Sequence, residues 1–323
     1  MKLKARKNEL SPVVHRNWLE VTPDGVDENE WKKFRNAYNR GAKLLDNEYP
    51  AQLDIELNAD CNYKCKFCIQ SVRNMGTYQL GFDNFEKLIT EAIEMGTRSL
   101  KLNYMNEPLL LPDLEDYIIY AKKAGMINIF FSTNGSLLTA ERSASLIKAG
   151  VTKIFISIDS VNARMYAKQR RQANYELVVE NTKKFIEIRN SMGLKYPLVR
   201  VNFLKNAENI GHEKEFIKIW EGIADMIIIQ EMNELIDNTS GIFLNTDKTD
   251  YKCSFPFKQL VVDARGRILP CCCMNGIGHQ IGHMKNLSLK EAWNSPKIEY
   301  LRNLHKNGDF MSDEICRRCI TGK

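Results

Sequence analysis

The 323-residue sequence predicts an α/β chain in which a parallel sheet, covered by helices and closed or partly closed as a barrel, is followed by a small cysteine-rich region. Three observations carry that expectation. Short apolar runs alternate with amphipathic stretches from about residue 50 to about residue 237. Glycines follow three of the amphipathic stretches, where a left-handed C-terminal residue is wanted. Beyond residue 237 the periodicity stops and a glycine- and cysteine-bearing segment begins, with Gly241, Gly266, Gly276, Gly278 and Gly282.

The elements follow in order. Residues before about 50 are polar and read as a helical extension. Six strands are expected at Leu53 to Leu57, Ser99 to Tyr104, Asn128 to Ser132, Lys153 to Ile158, Leu198 to Phe203 and Met226 to Gln230. Helical patterns lie between them near Asn84 to Met95, Leu114 to Ala124, Ala140 to Ala149, Tyr175 to Ser191 and Glu213 to Glu221, and Gly96, Gly125 and Gly150 close three of these. In such a barrel, catalytic groups gather at the C-terminal ends of the strands. The organisation expected is an extension over 1–50, a barrel over 51–237 and an appended unit over 238–323.

Composition narrows the function classes. No stretch approaches the roughly 20 apolar residues of a membrane span, and the N-terminus MKLKARKNELSPVVHRNWLE lacks the apolar core of a signal peptide. A cytoplasmic protein without a membrane partner is expected. Lys plus Arg (46) exceed Asp plus Glu (40), but the signs alternate along the chain instead of forming a basic block. The charge of +6 therefore suits an anionic cofactor or substrate as well as nucleic acid. Nine cysteines in a chain without an export signal read as metal ligands or redox groups. They fall at 61, 65 and 68, at 253 and 271 to 273, and at 316 and 319, so the chemistry is concentrated at two places.

Directly after the first strand comes Asn58-Ala59-Asp60-Cys61-Asn62-Tyr63-Lys64-Cys65-Lys66-Phe67-Cys68, three thiols on one loop at the active end of the barrel. Three thiolates leave one iron of a four-iron cluster without a protein ligand, and an open iron can bind a small molecule through amine and carboxylate groups. A structural cluster or zinc site normally takes four protein ligands; a zinc knuckle is the other reading. The CxxxCxxC spacing, with Phe67 before its last cysteine, resembles the signature of the radical S-adenosylmethionine (SAM) superfamily.

That resemblance extends over residues 50 to 323 or nearly so. It implies a partial (β/α)6 TIM-like barrel, a SAM-binding 4Fe-4S cluster on Cys61, Cys65 and Cys68, and SAM as cofactor. After the second strand, Asn106-Glu107-Pro108 occupies the place of the family's Gly-Gly-Glu-Pro segment, which binds the methionyl amine of SAM. Glu107 is retained, while Met105 and Asn106 replace both glycines, which puts the local backbone geometry in question. Ser132-Thr133-Asn134-Gly135 looks like the family's turn beside the cofactor; an ordinary turn is the alternative. Ser157-Ile158-Asp159 resembles the segment that reaches the SAM ribose or the substrate. Tyr166 and Arg170 fall in a Tyr-x-x-x-Arg pattern in which Arg can pair with the SAM carboxylate, a solvated helix start being the alternative.

In the second group, Cys253 and Cys271, with Gly266 between them, and Cys316-Arg317-Arg318-Cys319 further on offer four thiolates. Leu260 to Leu269 alternates as a β-hairpin with Gly266 at its turn. This resembles the SPASM and shorter twitch auxiliary domains of radical SAM enzymes, here a β-hairpin plus helix. Only Ile320 to Lys323 follow the CxxC pair, so a twitch-like version with one auxiliary 4Fe-4S cluster on Cys253, Cys271, Cys316 and Cys319 is expected. Cys272 and Cys273 are left over. Either one of them replaces Cys271 as ligand or is a buried small hydrophobe, or one donates a hydrogen atom to a substrate radical. His279 and His283 read as structural or substrate-contacting, and Trp293 with the run from Leu289 to Leu304 as core packing. Asp263, Met274 and the acidic residues near 231 to 237 are candidates for a substrate pocket.

The leading expectation is a radical SAM oxidoreductase, dehydrogenase-like, acting on a C-H bond of a small sugar- or aminocyclitol-like substrate, with an electron passed to the auxiliary cluster. A flavodoxin or ferredoxin-type donor would supply the first electron. An epimerase using Cys272 or Cys273 and a peptide maturase are the alternatives; an extension of about 50 residues is short for a leader-peptide-binding domain. An iron-sulfur or zinc nucleic-acid-binding module is a different class, against which the scattered charge and the three-thiol loop both argue.

Overall fold

A computed structural model of the chain describes residues 13–14, 22–71, 76–231 and 252–321. Its elements in chain order are β1 (Val13–Val14), α1 (Glu28–Ala42), β2 (Gln52–Ile55), β3 (Lys64–Cys65), α2 (Phe82–Met95), β4 (Ser99–Lys101), α3 (Leu114–Ala124), β5 (Asn128–Thr133), α4 (Ala140–Ala149), β6 (Lys153–Ser157) and α5 (Ala163–Gln169). There follow β7 (Arg170–Arg171), α6 (Tyr175–Ser191), β8 (Leu198–Lys205), α7 (Glu213–Trp220), β9 (Met226–Glu231), β10 (Gln259–Val262), β11 (Arg267–Leu269), β12 (Gly282–His283), α8 (Leu289–Trp293), α9 (Pro296–Asn307) and α10 (Glu314–Thr321). Gly96, Gly125 and Gly150 cap α2, α3 and α4 in the left-handed conformation, as their spacing predicts. Most of the acidic stretch from 231 to 237, Gly241 and the side chain of Met274 lie outside the described residues.

One ten-stranded sheet organises the molecule, in the order β1-β9-β8-β6-β5-β4-β2-β10-β11-β12. From β9 to β10 the neighbours are parallel, which is the partial TIM-like barrel expected from the βα alternation. Two features of the order were not legible in the periodicity. Val13–Val14 adds antiparallel to β9, and β10 continues the sheet beyond β2, with Leu260 opposite Leu53 and Val262 opposite Ile55. The hairpin β10–β11 turns at Gly266, whose φ of +83° is open to glycine and costly for other residues.

Alternate strand residues face the helices and form the core: Leu53, Ile55 and Leu57 on and after β2, Ile154 and Ile156 on β6, Val199, Val201 and Phe203 on β8. The other face is more polar than the expected continuous apolar runs. It carries Gln52, Asp54, Glu56 and Asn58 on and after β2 and Asn202 on β8, all buried. Helix α1 packs near the starts of the strands: the Lys153 ammonium lies 5.6 Å from the centre of the Trp31 ring and 5.7 Å from that of Phe130. Burial holds that lysine well below its ordinary value. Among the described residues no helix is long and apolar enough to cross a membrane.

Candidate active site

The loop after β2 carries Cys61, Cys65 and Cys68 and is tied down at several points. Cys65 lies in β3, whose antiparallel partner β7 sets Arg170 directly opposite it. Gln70, buried just beyond Cys68, donates to the carbonyls of Ala59 (2.7 Å) and Met105 (3.0 Å) and so joins the cysteine loop to the loop after β4. Asn62 donates to Ser136 Oγ (2.9 Å) and accepts from Asn134 Nδ2 (2.8 Å), joining it to the turn after β5. Burial pushes the thiols up, to about 11 for Cys61 and about 12 for Cys65, and Cys68 moves the same way. Each of Cys61 and Cys65 also feels Cys68, so three thiols share one poorly solvated place with the Arg170 cation acting against the rise.

Glu107 ties the loop after β4 to the end of β5 and the turn that follows it. Its Oε1 accepts from Thr133 Oγ1 (2.6 Å) and Leu109 N (3.1 Å), and Oε2 accepts from Asn134 N (2.8 Å). Burial outweighs these donors and raises its carboxyl to about 7. The structure answers the question raised by Met105 and Asn106. Neither has a positive φ, and the Asn106 side chain accepts from Tyr104 N (3.1 Å) and donates to Asn58 Oδ1 (2.8 Å), so this loop does not need the two glycines. Ser132 donates its N–H to Asn103 Oδ1 (2.9 Å).

Asp159 and Arg170 form a buried pair. Asp159, with φ +58°, accepts through Oδ2 from Arg170 Nε (3.0 Å) and Nη2, and through Oδ1 from Leu204 N (2.7 Å). Both of its carboxylate oxygens are engaged within the protein, so it acts on the site through Arg170. The guanidinium reaches Cys65 Sγ at 3.6 Å through Nη1 and lies 5.4 Å from the centre of the Phe67 ring. Ser157 stands at the end of β6 beside Asn202 of β8, whose buried Oδ1 has no hydrogen-bond partner among the described residues. Sequence reasoning passed over Asn202 and Gln70; as single amides in ordinary strand or loop context they gave no signal.

Four thiols of the second cysteine group act on one another electrostatically. Burial raises the Cys253 thiol, with Cys271 and Cys319 adding to the rise, and raises Cys316, with Asp313, Cys253 and Cys271 adding to it. These four sulfurs therefore share one electrostatic environment. A Cβ on Gly276 would come within 2.6 Å of Cys271 Sγ, so the chain packs closely around that thiol. His279 Nε2 lies 3.0 Å from Asp313 Oδ1 and 3.7 Å from Cys316 Sγ. His305, missed at the level of sequence because it sits on the core face of α9 like an ordinary packed residue, lies 3.6 Å from the same sulfur. His283 instead approaches Arg265 O (2.8 Å) near the hairpin turn. Cys272 and Cys273 are half-buried. The Cys273 carbonyl accepts from Tyr104 OH (2.7 Å), which brings this segment beside the loop after β4. Asp263 is turned back onto its own hairpin, accepting from Arg267 Nε at 2.6 Å. Trp293 is fully buried and donates to Asn47 O (2.9 Å).

Family models match at both places: the radical SAM superfamily over residues 55–200, and the iron-sulfur cluster-binding SPASM domain over 253–320. The chain carries a radical SAM domain followed by a SPASM iron-sulfur domain. A probable GTP 3',8-cyclase of Methanococcus maripaludis is 34% identical over 152 residues, 46% of this chain and 48% of that protein. The chain thus aligns with about half the length of that relative. The tungsten-containing aldehyde ferredoxin oxidoreductase cofactor-modifying protein of Pyrococcus furiosus is 22% identical over 312 residues, 82% of this chain and 86% of that protein. Among solved structures, BtrN in complex with AdoMet and 2-DOIA matches with a TM-score of 0.57 at 17% identity, covering 85% of this chain and 94% of that one. Streptococcus suis SuiB bound to S-adenosylmethionine matches with a TM-score of 0.59 at 16% identity, covering 90% and 76%. At these identities the likeness to BtrN and SuiB is one of fold.

A radical SAM protein with a SPASM domain uses 4Fe-4S clusters and SAM, and the residues fit both. Three poorly solvated thiols on one loop, Cys65 buried and Cys61 and Cys68 half-buried, suit a cluster with one open iron, because iron binding supplies the positive charge that their desolvation demands. The bare Asn202 Oδ1 beside Ser157 offers an acceptor for a cofactor hydroxyl or amine.

Proposed function

We propose that the protein is a radical SAM oxidoreductase that removes two electrons and two hydrogens from a small, polar, carbohydrate-like substrate. In this reading Cys61, Cys65 and Cys68 hold the SAM cluster, Cys253, Cys271, Cys316 and Cys319 hold the auxiliary cluster, and 51–237 and 238–323 are the corresponding units. When bound, these groups supply a carbon radical that takes hydrogen from an unactivated C-H bond and a nearby acceptor for the remaining electron. Glu107 fixes Thr133 and Asn134, and with Ser132, Ser157 and Arg170 forms the SAM pocket. Arg170, held by Asp159, offers its cation to the cluster thiolates and to a carboxylate beside them. The polar face of the sheet, with Asp54, Glu56, Asn58 and Asn202 buried on it, supports a hydroxyl-rich substrate. A flavodoxin or ferredoxin-type protein is the electron donor, in the cytoplasm.

The single observation that supports oxidation is that the thiols of Cys253, Cys271, Cys316 and Cys319 act on one another electrostatically; as four ligands of one cluster they would leave no iron open for substrate. The Tyr104–Cys273 contact favours a second reading, epimerisation with Cys272 or Cys273 returning a hydrogen atom. The test is product analysis in deuterated water with the identified substrate and the Cys272→Ala and Cys273→Ala variants. Oxidation predicts a product two hydrogens lighter from all three proteins. Solvent deuterium at the reacting carbon, lost in one variant while SAM cleavage persists, establishes the epimerase instead.

A further inference from the structure

Two imidazoles face the Cys316 thiol, and they are held differently. His279 directs its shorter contact at Asp313 Oδ1, 3.0 Å away, and lies 3.7 Å from the sulfur. His305, in the last turn of α9 and 1% exposed, is gripped from both sides. Its Nδ1 lies 3.3 Å from the backbone N of Cys253, and its Nε2 lies 3.6 Å from Cys316 Sγ. A backbone N–H can only donate, so Nδ1 is the accepting nitrogen. The neutral ring then carries its proton on Nε2, the atom that faces the sulfur, a tautomer assigned by this hydrogen-bond network. One side chain therefore fixes the backbone of one thiol-bearing residue and presents a donor to the thiol of another.

We propose that His305 is a positioning residue of the auxiliary centre, donating an Nε2–H hydrogen bond to the Cys316 sulfur and thereby raising the reduction potential of the cluster held there. This rests on the reading that Cys316 is a cluster ligand. Reduction adds negative charge that spreads onto the sulfurs, and a fixed donor in a poorly solvated site stabilises the more negative state. Hydrogen bonds to sulfur are one of the protein's levers on cluster potential. With both ring nitrogens committed in this way, the imidazole has no lone pair left for iron.

The test uses the full-length chain carrying Cys61→Ala, Cys65→Ala and Cys68→Ala, so that only the auxiliary centre contributes to the spectrum. To this are added His305→Phe, which keeps a ring without a donor, or His305→Gln, which restores an N–H. Iron content should stay at about four per chain in all of them. A potentiometric titration followed by electron paramagnetic resonance should place the Phe variant about tenfold further from reduction at a fixed poise, about 59 mV more negative for one electron. The Gln variant should lie closer to the parent. In the parent itself, pulsed resonance should show a weak nitrogen coupling and a proton coupling that deuterium exchange removes, which decides the matter even where the Phe variant fails to hold its cluster. An unchanged potential in the Phe variant, or a strong nitrogen coupling of the kind a direct iron ligand gives, overturns the assignment. Absence of iron from the parent triple variant would instead refute the second cluster site on which it rests.

Discussion

Replacing Asp159 with Asn isolates the buried charge pair that holds Arg170 against the cysteine loop. The substitution is nearly isosteric, Asn accepts the left-handed backbone that Asp159 adopts at φ +58°, and its remaining Oδ1 can still accept from Leu204 N. What it removes is the negative charge facing Arg170 Nε and Nη2, and it turns a donor toward donors. The side chains of Asp159 and Arg170 are only 2% and 8% exposed, so solvent cannot take over the lost interaction. Removing one partner from such a pair costs about 3–5 kcal/mol; with the Leu204 contact kept, we expect about 3 kcal/mol. The assay is urea unfolding of the reduced, metal-free protein, followed by the fluorescence of the buried Trp31, Trp220 and Trp293. A cycle with Arg170→Met separates the pair from its surroundings. The double variant should be more stable than the sum of the two single losses predicts, by about 2 kcal/mol, because it leaves neither partner charged and alone. A loss below about 0.5 kcal/mol for Asp159→Asn, together with additive behaviour in the cycle, would refute the claim that this pair braces the site.

The wild type should bind about eight irons after anaerobic reconstitution, and the Cys61/Cys65/Cys68 triple Ala variant about four with no SAM cleavage, since the second site has its own thiols. Metal analysis and chromatography for 5'-deoxyadenosine check both halves, and cleavage by the triple variant would remove the first site from the chemistry. Glu107 titrates at about 7 in the folded protein against an ordinary 4.5, so the unfolded chain loses this proton first as pH rises. The native state then binds more protons, and stability falls between those values, by about 3 kcal/mol from this group alone. Urea unfolding of the metal-free protein at pH 4.5 and pH 8 should show a flatter dependence for Glu107→Gln than for wild type; equal slopes would contradict it.

Strands and helices of the barrel were legible because each alternates on its own period: Leu53, Ile55 and Leu57 on one face of and just after β2, Phe85, Leu88, Ile89 and Ala92 on one face of α2. The three-cysteine loop was legible because its spacing is local. Contacts between distant segments were not. Gln70 reaching Met105, Asn62 reaching Asn134 and Ser136, and His305 between Cys253 and Cys316 join residues 35 to 74 positions apart in most cases, and no single-sequence periodicity reports them. The same holds for Asp159. Its resemblance to a cofactor-reaching segment is local, whereas its commitment to Arg170 and Leu204 N depends on how β6 and β8 pair.

The pairing of β10 with β2 has a mechanical consequence that the separation of the two cysteine groups in sequence conceals. Glu56, just beyond β2, accepts from Met105 N through Oε1 (2.8 Å) and from Ala264 N through Oε2 (3.2 Å). The first donor belongs to the loop that leads to Glu107; the second opens the hairpin turn that leads to Cys271. Burial raises this carboxyl to about 7 in spite of both donors. A one-residue slip of β10 against β2 would carry Ala264 away from Glu56 and turn the side chains of β10 to the opposite face. Tyr104 provides a second tie through the Cys273 carbonyl, from the same loop after β4. The spacing between the two cysteine sites is therefore set by strand register and by two hydrogen-bonded side chains that follow β2 and β4, and it fixes the distance an electron would cross in the proposed oxidation.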